Sequence, residues 1–136
     1  MIVVDTNLTA YFSFLGFFKK EVMQLHEADS DWIAPVLWES EFLNNTVLYL
    51  RKKLIAYNDA LETVKNAATL LINKEFAVSG YRVLDLITES SCSAYDCEFV
   101  ALAIEKKVRM ITYDKLVLKK FSAIASTPLQ YIAASQ

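Results

Sequence analysis

Met1-Ile2-Val3-Val4-Asp5 opens the chain as a β-branched apolar run that stops on a carboxylate. This is the pattern of a strand buried on both faces within a parallel sheet, not the in-out alternation of a half-exposed antiparallel strand. Two further runs follow suit: Trp32-Ile33-Ala34, and Val108-Arg109-Met110-Ile111-Thr112-Tyr113 leading to Asp114. Tyr81 to Ile87 alternates roughly as a strand does, and a last short strand is expected near Leu129 to Ile132. Helical spacing fills the intervals. Residues 9–28 place Phe14, Phe17, Phe18, Val22 and Leu25 on one side. After Pro35, residues 36–54 carry a seam of Leu43, Val47, Leu50 and Leu54. Residues 58–75 repeat the pattern with Leu61, Val64, Ala68, Leu71 and Ile72, with Asn58 or Asp59 as the cap. Ser93-Ala94-Tyr95-Asp96 opens a helix running to Lys107, and Lys115 to Phe121 forms a short one. Parallel strands joined through helices need crossover connections, so the expected fold is α/β: a three-layer doubly wound sandwich with a mostly parallel central sheet.

Composition narrows the function classes. A chain of 136 residues with 54% hydrophobic side chains suits a single domain over 1–136. Two Gly and two Pro leave no material for a linker or a low-complexity tail. No stretch reaches the roughly 20 uncharged residues that span a bilayer, so a soluble, unexported, cytoplasmic protein with no membrane partner is expected. Cys92 and Cys97 stand five apart, neither a CxxC redox pair nor half of a zinc site, and read as small core residues in a reducing compartment. His26 is the sole histidine, and no glycine-rich phosphate loop exists. Any chemistry must rest on carboxylates.

In doubly wound sheets ligands gather outside the carboxyl ends of the strands. Asp5 and Asp114 each follow a strand there, and each is equally readable as a helix N-cap. Glu41 shares with Leu37, Asn44 and Leu48 a mainly apolar helical stripe; the alternative is an exposed helix face, with Glu39 as the fallback acid. Asp96 heads the stripe Phe99, Val100 and Ala103, and Ser93-x-x-Asp96 also fits a capping box. Four acids gathered at one sheet edge repel and raise one another's pKa unless a cation neutralises them. A hard ion, Mg2+ or Mn2+, suits a donor set made of oxygen.

The residues resemble the PIN-domain ribonucleases, and within them the VapC-like toxins of toxin–antitoxin pairs. The likeness covers most of the chain: Ile2-Val3-Val4-Asp5-Thr6-Asn7, Trp38-x-x-Glu41-x-x-Asn44, Ser93-Ala94-Tyr95-Asp96-x-x-Phe99-Val100-Ala101-Leu102-Ala103 and Ile111-Thr112-Tyr113-Asp114-Lys115. It implies a PIN-like fold in which Asp5, Glu41, Asp96 and Asp114 are the catalytic acids holding one or two Mg2+ or Mn2+ ions, with Asn7, Asn44 and Thr112 supporting those ligands. The implied reaction is metal-dependent hydrolysis of an RNA phosphodiester, and the implied partners are RNA, a cognate antitoxin and a second copy in a homodimer. Two features depart from the family. A helix often found ahead of the Asp96 segment looks trimmed here, and Val117 and Leu118 stand where some members carry a further acid.

Apart from the four acids, the charge balance is 14 basic residues against 12 acidic ones, taken from 14 Lys and Arg and 16 Asp and Glu less four. The basic runs Lys19-Lys20, Arg51-Lys52-Lys53, Lys106-Lys107 and Lys119-Lys120 read as solvated faces or phosphate contacts, and Lys115 beside Asp114 is the candidate RNA-binding lysine. Tyr11, Phe12, Phe14, Phe17 and Phe18 exceed one helix face; core packing is the commoner fate of such a stretch, and the resemblance makes it the expected antitoxin surface. Two rival readings remain: a PIN-like RNA- or protein-binding module without catalysis, and a haloacid dehalogenase-type phosphatase, which wants a second Asp where Asn7 stands.

Overall fold

A computed structural model describes residues 1–14 and 18–136. The opening run forms β1 (Ile2–Val4), whose three side chains are fully buried. It lies at the centre of a parallel sheet whose described strands are ordered β3-β2-β1-β4-β5. The other strands are β2 (Trp32–Pro35), β3 (Glu75–Phe76), β4 (Met110–Ile111) and β5 (Ala125–Ser126). Val3 pairs with Ile33 on one side and Met110 on the other, which sets the central register. Arg109 locks β5 to β4 by donating from its guanidinium to Ser126 Oγ and to the carbonyls of Ala123 and Ala125.

Helices connect and cover the strands: α1 (Thr6–Ser13), α2 (Lys19–Ala28), α3 (Trp38–Arg51), α4 (Tyr57–Leu70), α5 (Gly80–Glu89), α6 (Ala94–Lys106), α7 (Lys115–Lys120) and α8 (Pro128–Ala134). α6 packs on both β1 and β2 through a nearly continuous buried stripe of Phe99, Val100, Ala101, Leu102 and Ala103. No helix among the described residues is long and apolar enough to cross a membrane.

Several expected elements differ. The helix read over 9–28 is two helices, one ending at Ser13 and the other beginning at Lys19; Phe17 lies outside the described residues. The described aromatics of that stretch pack within the chain: Phe14 stacks on Phe42 at 5.8 Å, Phe18 on Tyr113 at 4.3 Å, and Phe12 meets Trp32 edge-on at 5.4 Å. Tyr81 to Ile87 is part of helix α5, not a strand. Val83 and Leu86 face the core three residues apart while Tyr81 and Leu84 point outward, so the helical period wins over the apparent alternation. This helix also fills the interval that looked trimmed ahead of Asp96. Leu129 to Ile132 lies in α8, which Pro128 and a reciprocal capping box between Thr127 and Gln130 initiate; the last strand, β5, precedes it.

Helix faces also shift. On α3 the buried positions are Trp38, Phe42 and Thr46, whereas the expected seam is exposed: Leu43 is 44%, Val47 37% and Leu54, beyond the helix end, 62% exposed. Two sets of residues on α3 share helical spacing, and only the second layer decides between them. On α4 the buried positions are Ala60 and Ala67, with Leu61 exposed; of the expected face, Leu71 at the helix end is fully buried and Val64 packs against the core, whereas Ile72 is exposed. The N-cap of α4 is Ala56, so neither Asn58 nor Asp59 caps it. The two-residue strand β3 had no periodicity to reveal it. Cys92 and Cys97 are buried free thiols, as expected.

Candidate functional site

From β1 the chain steps to one side to form β2 and β3, while β4 and β5 lie on the other, so the strand order reverses between β1 and β4. Loops leaving the carboxyl ends of such a pair diverge and open a crevice. The N–H of Asp5 donates to the Ile111 carbonyl at 3.1 Å, which fixes the ends of β1 and β4 side by side at that point.

Asp5 is 9% exposed and occupies the N-cap position of α1, yet its carboxylate makes no capping bond to that helix. Instead it accepts a 2.7 Å hydrogen bond at Oδ2 from the hydroxyl of Thr112, a fully buried residue. The same hydroxyl accepts from the Asp114 N–H at 3.0 Å, so one threonine ties the two strand-end acids together. Asp114 does act as a cap: its Oδ1 accepts from Val117 N–H at 2.9 Å at the start of α7. Glu41 comes from α3, whose N-terminal turn is held down by buried Trp38, and its Oε1 accepts from Thr6 Oγ1 at 2.8 Å. Asp96 lies in the first turn of α6, where its N–H donates to Ser93 Oγ at 3.1 Å.

Electrostatics shows which acids share a region. Burial is the main cause that pushes Asp5 up to about 6, and the charges of Asp96 and Asp114 push the same way, against the lowering effect of the Thr112 hydrogen bond. Glu41 is raised by burial first and then by Asp5, Asp96 and Glu98, with Thr6 opposing. Asp96 is raised by burial and by Asp114. Each of the four expected acids is therefore linked to at least one other: Asp5 to Asp96 and Asp114, Glu41 to Asp5 and Asp96, and Asp96 to Asp114, coming from β1, α3, α6 and the end of β4. Among the described residues no Lys or Arg pairs with any of them, and the ion pairs present are Met1 with Asp29 and Asp31, and Lys74 with Asp31. A hard divalent cation fits this donor set, because oxygen ligands with uncompensated charge and unfavourable burial are what such an ion relieves. Ligation would require the side chains to close inward, since no three His, Cys, Asp or Glu among the described residues form a ready ion-holding group.

The supporting residues distribute differently from the expectation. Thr112 touches two of the acids, whereas Asn7 and Asn44 are exposed and make no side-chain hydrogen bond to the described residues. Thr6, unsingled in the sequence, does contact an acid; its signal was a hydroxyl directly after Asp5 at the first helical position. Glu98 adds a fifth charge near Glu41 and is itself raised by burial. Lys115 is exposed beside Asp114 at the first position of α7. Tyr113 donates to Glu21 Oε2 at 2.7 Å and thereby braces α2 against the loop that carries Asp114.

No family model matches the chain, and no curated protein does. Among solved structures it is similar to FitAcB from Neisseria gonorrhoeae, with a TM-score of 0.75 over 95% of this chain and 99% of that one, at 12% sequence identity. That likeness establishes the fold, and the expected PIN-like doubly wound α/β architecture is borne out.

Proposed function

We propose that this protein is a metal-dependent endoribonuclease that hydrolyses RNA phosphodiesters and serves as the toxin of a toxin–antitoxin module. The observation that carries the reading is that Asp5, Glu41, Asp96 and Asp114 are linked by electrostatic influence around the end of β1, with no Lys or Arg ion-paired to any of them among the described residues. The motif resemblance and the fold shared with FitAcB support it.

In this proposal the four carboxylates hold one or two Mg2+ or Mn2+ ions. When bound, such an ion would supply activation of a water and neutralisation of charge at the scissile phosphate. The chain's own residues set the geometry. Thr112 holds Asp5 by its Oδ2 oxygen, leaving Oδ1 for other contacts, and Thr6 does the same for Glu41 through Oε1. Asp114 spends one oxygen on capping α7 and keeps the other. Lys115, exposed next to it, is placed to meet an RNA phosphate. Asn7 and Asn44 act toward substrate in this proposal, because neither touches an acid. RNA as substrate, a cognate antitoxin, a homodimer and a cytoplasmic location belong to the same proposal.

Cleavage of single-stranded and structured RNAs with Mg2+ or Mn2+ tests the reading, alongside Asp5→Asn and Asp96→Asn. Loss of about 100-fold or more in rate is expected for each variant, the scale seen when one electrostatic group of a preorganised site is removed. Cleavage at wild-type rate by both variants would refute the assignment. Turnover of small phosphate esters through a phospho-aspartate would instead point to the phosphatase reading, which the buried and hydrogen-bonded carboxylate of Asp5 disfavours.

A further inference from the structure

Thr112, Tyr113 and Asp114 follow one another out of β4, and the two outer residues belong to the acid crevice. Thr112 donates to Asp5, and its hydroxyl accepts from the Asp114 N–H. The residue between them turns elsewhere. The Tyr113 hydroxyl donates at 2.7 Å to Oε2 of Glu21, which lies in the first turn of α2. Its ring stacks at 4.3 Å on Phe18, the N-cap of α2, and meets Tyr11 of α1 edge-on at 6.0 Å. Ring packing alone fills that space, and a phenylalanine would serve it equally well. A hydrogen bond to a carboxylate adds direction, because such bonds are short and strong. Asp114 has extended backbone, and successive side chains of an extended chain point to opposite sides. Anchoring Tyr113 on α2 therefore fixes how Thr112 and Asp114 leave on the other side.

We infer that Glu21 and Tyr113 are a positioning pair for the acid site, and that the bond between them sets the direction in which Asp114 presents its carboxylate. Both act through the loop, not on the reacting atoms. The inference rests on reading the acids as metal ligands and names the support that orders one of them. Two observations favour a role in the site beyond holding the fold. The Asp114 side chain is already committed at Oδ1, which caps α7 through the Val117 N–H, so its second oxygen is aimed by the backbone that carries it. That backbone is tied on one side to Thr112 and through Thr112 to Asp5, and on the other, through Tyr113, to α2. The base of the tie is firm, since Val22 and Leu25 of α2 are fully buried. A second bond of the same chemistry gives an internal comparison. Tyr131 donates to Asp29 Oδ2 at 2.9 Å, but Asp29 precedes β2 and so lies at the amino ends of the strands, away from the crevice.

Calorimetric titration of the full chain with Mn2+ tests this, together with amide hydrogen exchange at Asp114 in a chelating buffer and steady-state cleavage of a labelled oligoribonucleotide. Tyr113→Phe keeps the rings packed and removes only the hydroxyl, Glu21→Ala removes the acceptor, and Glu21→Gln keeps an acceptor oxygen. The first two are expected to weaken Mn2+ binding about 10-fold, the lower end of what loss of an outer partner does to a metal site. They should also speed exchange of the Asp114 amide severalfold and lower kcat with KM for the RNA unchanged. Glu21→Gln should recover most of each effect. Tyr131→Phe, which loses the matching bond at the far end of the sheet, should resemble Tyr113→Phe in urea unfolding yet keep wild-type Mn2+ affinity and Asp114 exchange. Wild-type affinity and exchange in Tyr113→Phe overturn the inference, and so does an equal effect in Tyr131→Phe. Failure of the underlying reading shows separately. If wild type binds no Mn2+, the acids are not a metal site, and exchange at Asp114 decides the positioning role: acceleration in Tyr113→Phe but not in Tyr131→Phe upholds it, and no change overturns it. Mn2+ binding with the expected variant effects but no cleavage of RNA upholds the inference and sinks the nuclease reading.

Discussion

Replacing Asp5 by Asn should make the metal-free protein more stable at neutral pH. The ordinary aspartate value is 3.8, and burial among like charges moves Asp5 to about 6. At 1.36 kcal/mol for each pH unit, keeping this carboxylate ionised in the folded state costs about 3 kcal/mol. The sign follows from proton binding. Between pH 3.8 and about 6 the folded chain holds a proton on Asp5 that the unfolded chain has released, so stability is complete below the lower value and declines as pH rises through the upper one. Asn carries no charge, keeps a carbonyl oxygen for the Thr112 hydroxyl, and is nearly isosteric. Urea unfolding in a chelating buffer, followed by the fluorescence of the buried Trp32 and Trp38, supplies the stabilities. Wild type and Asp5→Asn should be close to equal near pH 4 and diverge to about 3 kcal/mol in favour of the variant by pH 7. Asp29, lowered mainly by its hydrogen bonds and the nearby amino terminus against burial, titrates in the opposite sense, but it is common to both proteins and cancels in the difference. Mg2+ should then stabilise wild type more than the variant, closing the gap by mass action. A variant less stable than wild type at pH 7, or a difference that does not change with pH, would refute the electrostatic account of the site.

Thr112→Val removes the donor to Asp5 and the acceptor for the Asp114 N–H, and should cost about 1–3 kcal/mol in urea unfolding while moving the Asp5 transition to higher pH. Thr6→Val should shift the acid limb of the cleavage pH profile upward through Glu41, and Thr6→Ser should restore it; an unchanged profile would remove Thr6 from the site. Phe42→Ala should lose about 3–5 kcal/mol as a buried aromatic, while Val47→Ser, on the exposed face, should stay within about 0.5 kcal/mol; comparable losses at both would contradict the observed orientation of α3.

The strands and acids that define the crevice were legible in the sequence for one reason. A strand buried on both faces has to be apolar at successive positions, and Asp5 and Asp114 end such runs where a doubly wound sheet presents its ligands. What the sequence left ambiguous depends on contacts between layers. α3 contains both Trp38-Phe42-Thr46 and Leu43-Val47-Leu50 at helical spacing, and only packing against α1 and α4 selects the first. Tyr81 to Ile87 satisfies an alternating and a helical reading together, and the helix prevails because Val83 and Leu86 dock on α6. β3 and β5 span two residues each, too short for any period. The same limit applies beside the site. Asn44 and Asn45 are neighbours in the chain, but only Asn45 lines the hollow between α1 and α3, and the one-residue offset is set by the orientation of α3.

The choice of hydrogen-bond donors around the acids says more about function than their number does. A buried carboxylate can be satisfied by a guanidinium or ammonium, which would also neutralise it, or by neutral hydroxyls and amides, which would not. Here Thr112 serves Asp5, Thr6 serves Glu41, and the backbone N–H of Val117 serves Asp114. Orientation is thus supplied without charge, and the negative potential of the crevice is kept at the expense of folding stability. A fixed Lys or Arg would have stabilised the protein, but it would also have occupied the place that the proposed function assigns to a divalent ion. Retaining the repulsion is the expected signature of a site whose counter-charge arrives from solution, and it is why the stability of the chelated protein, more than any single distance, measures whether these acids work together.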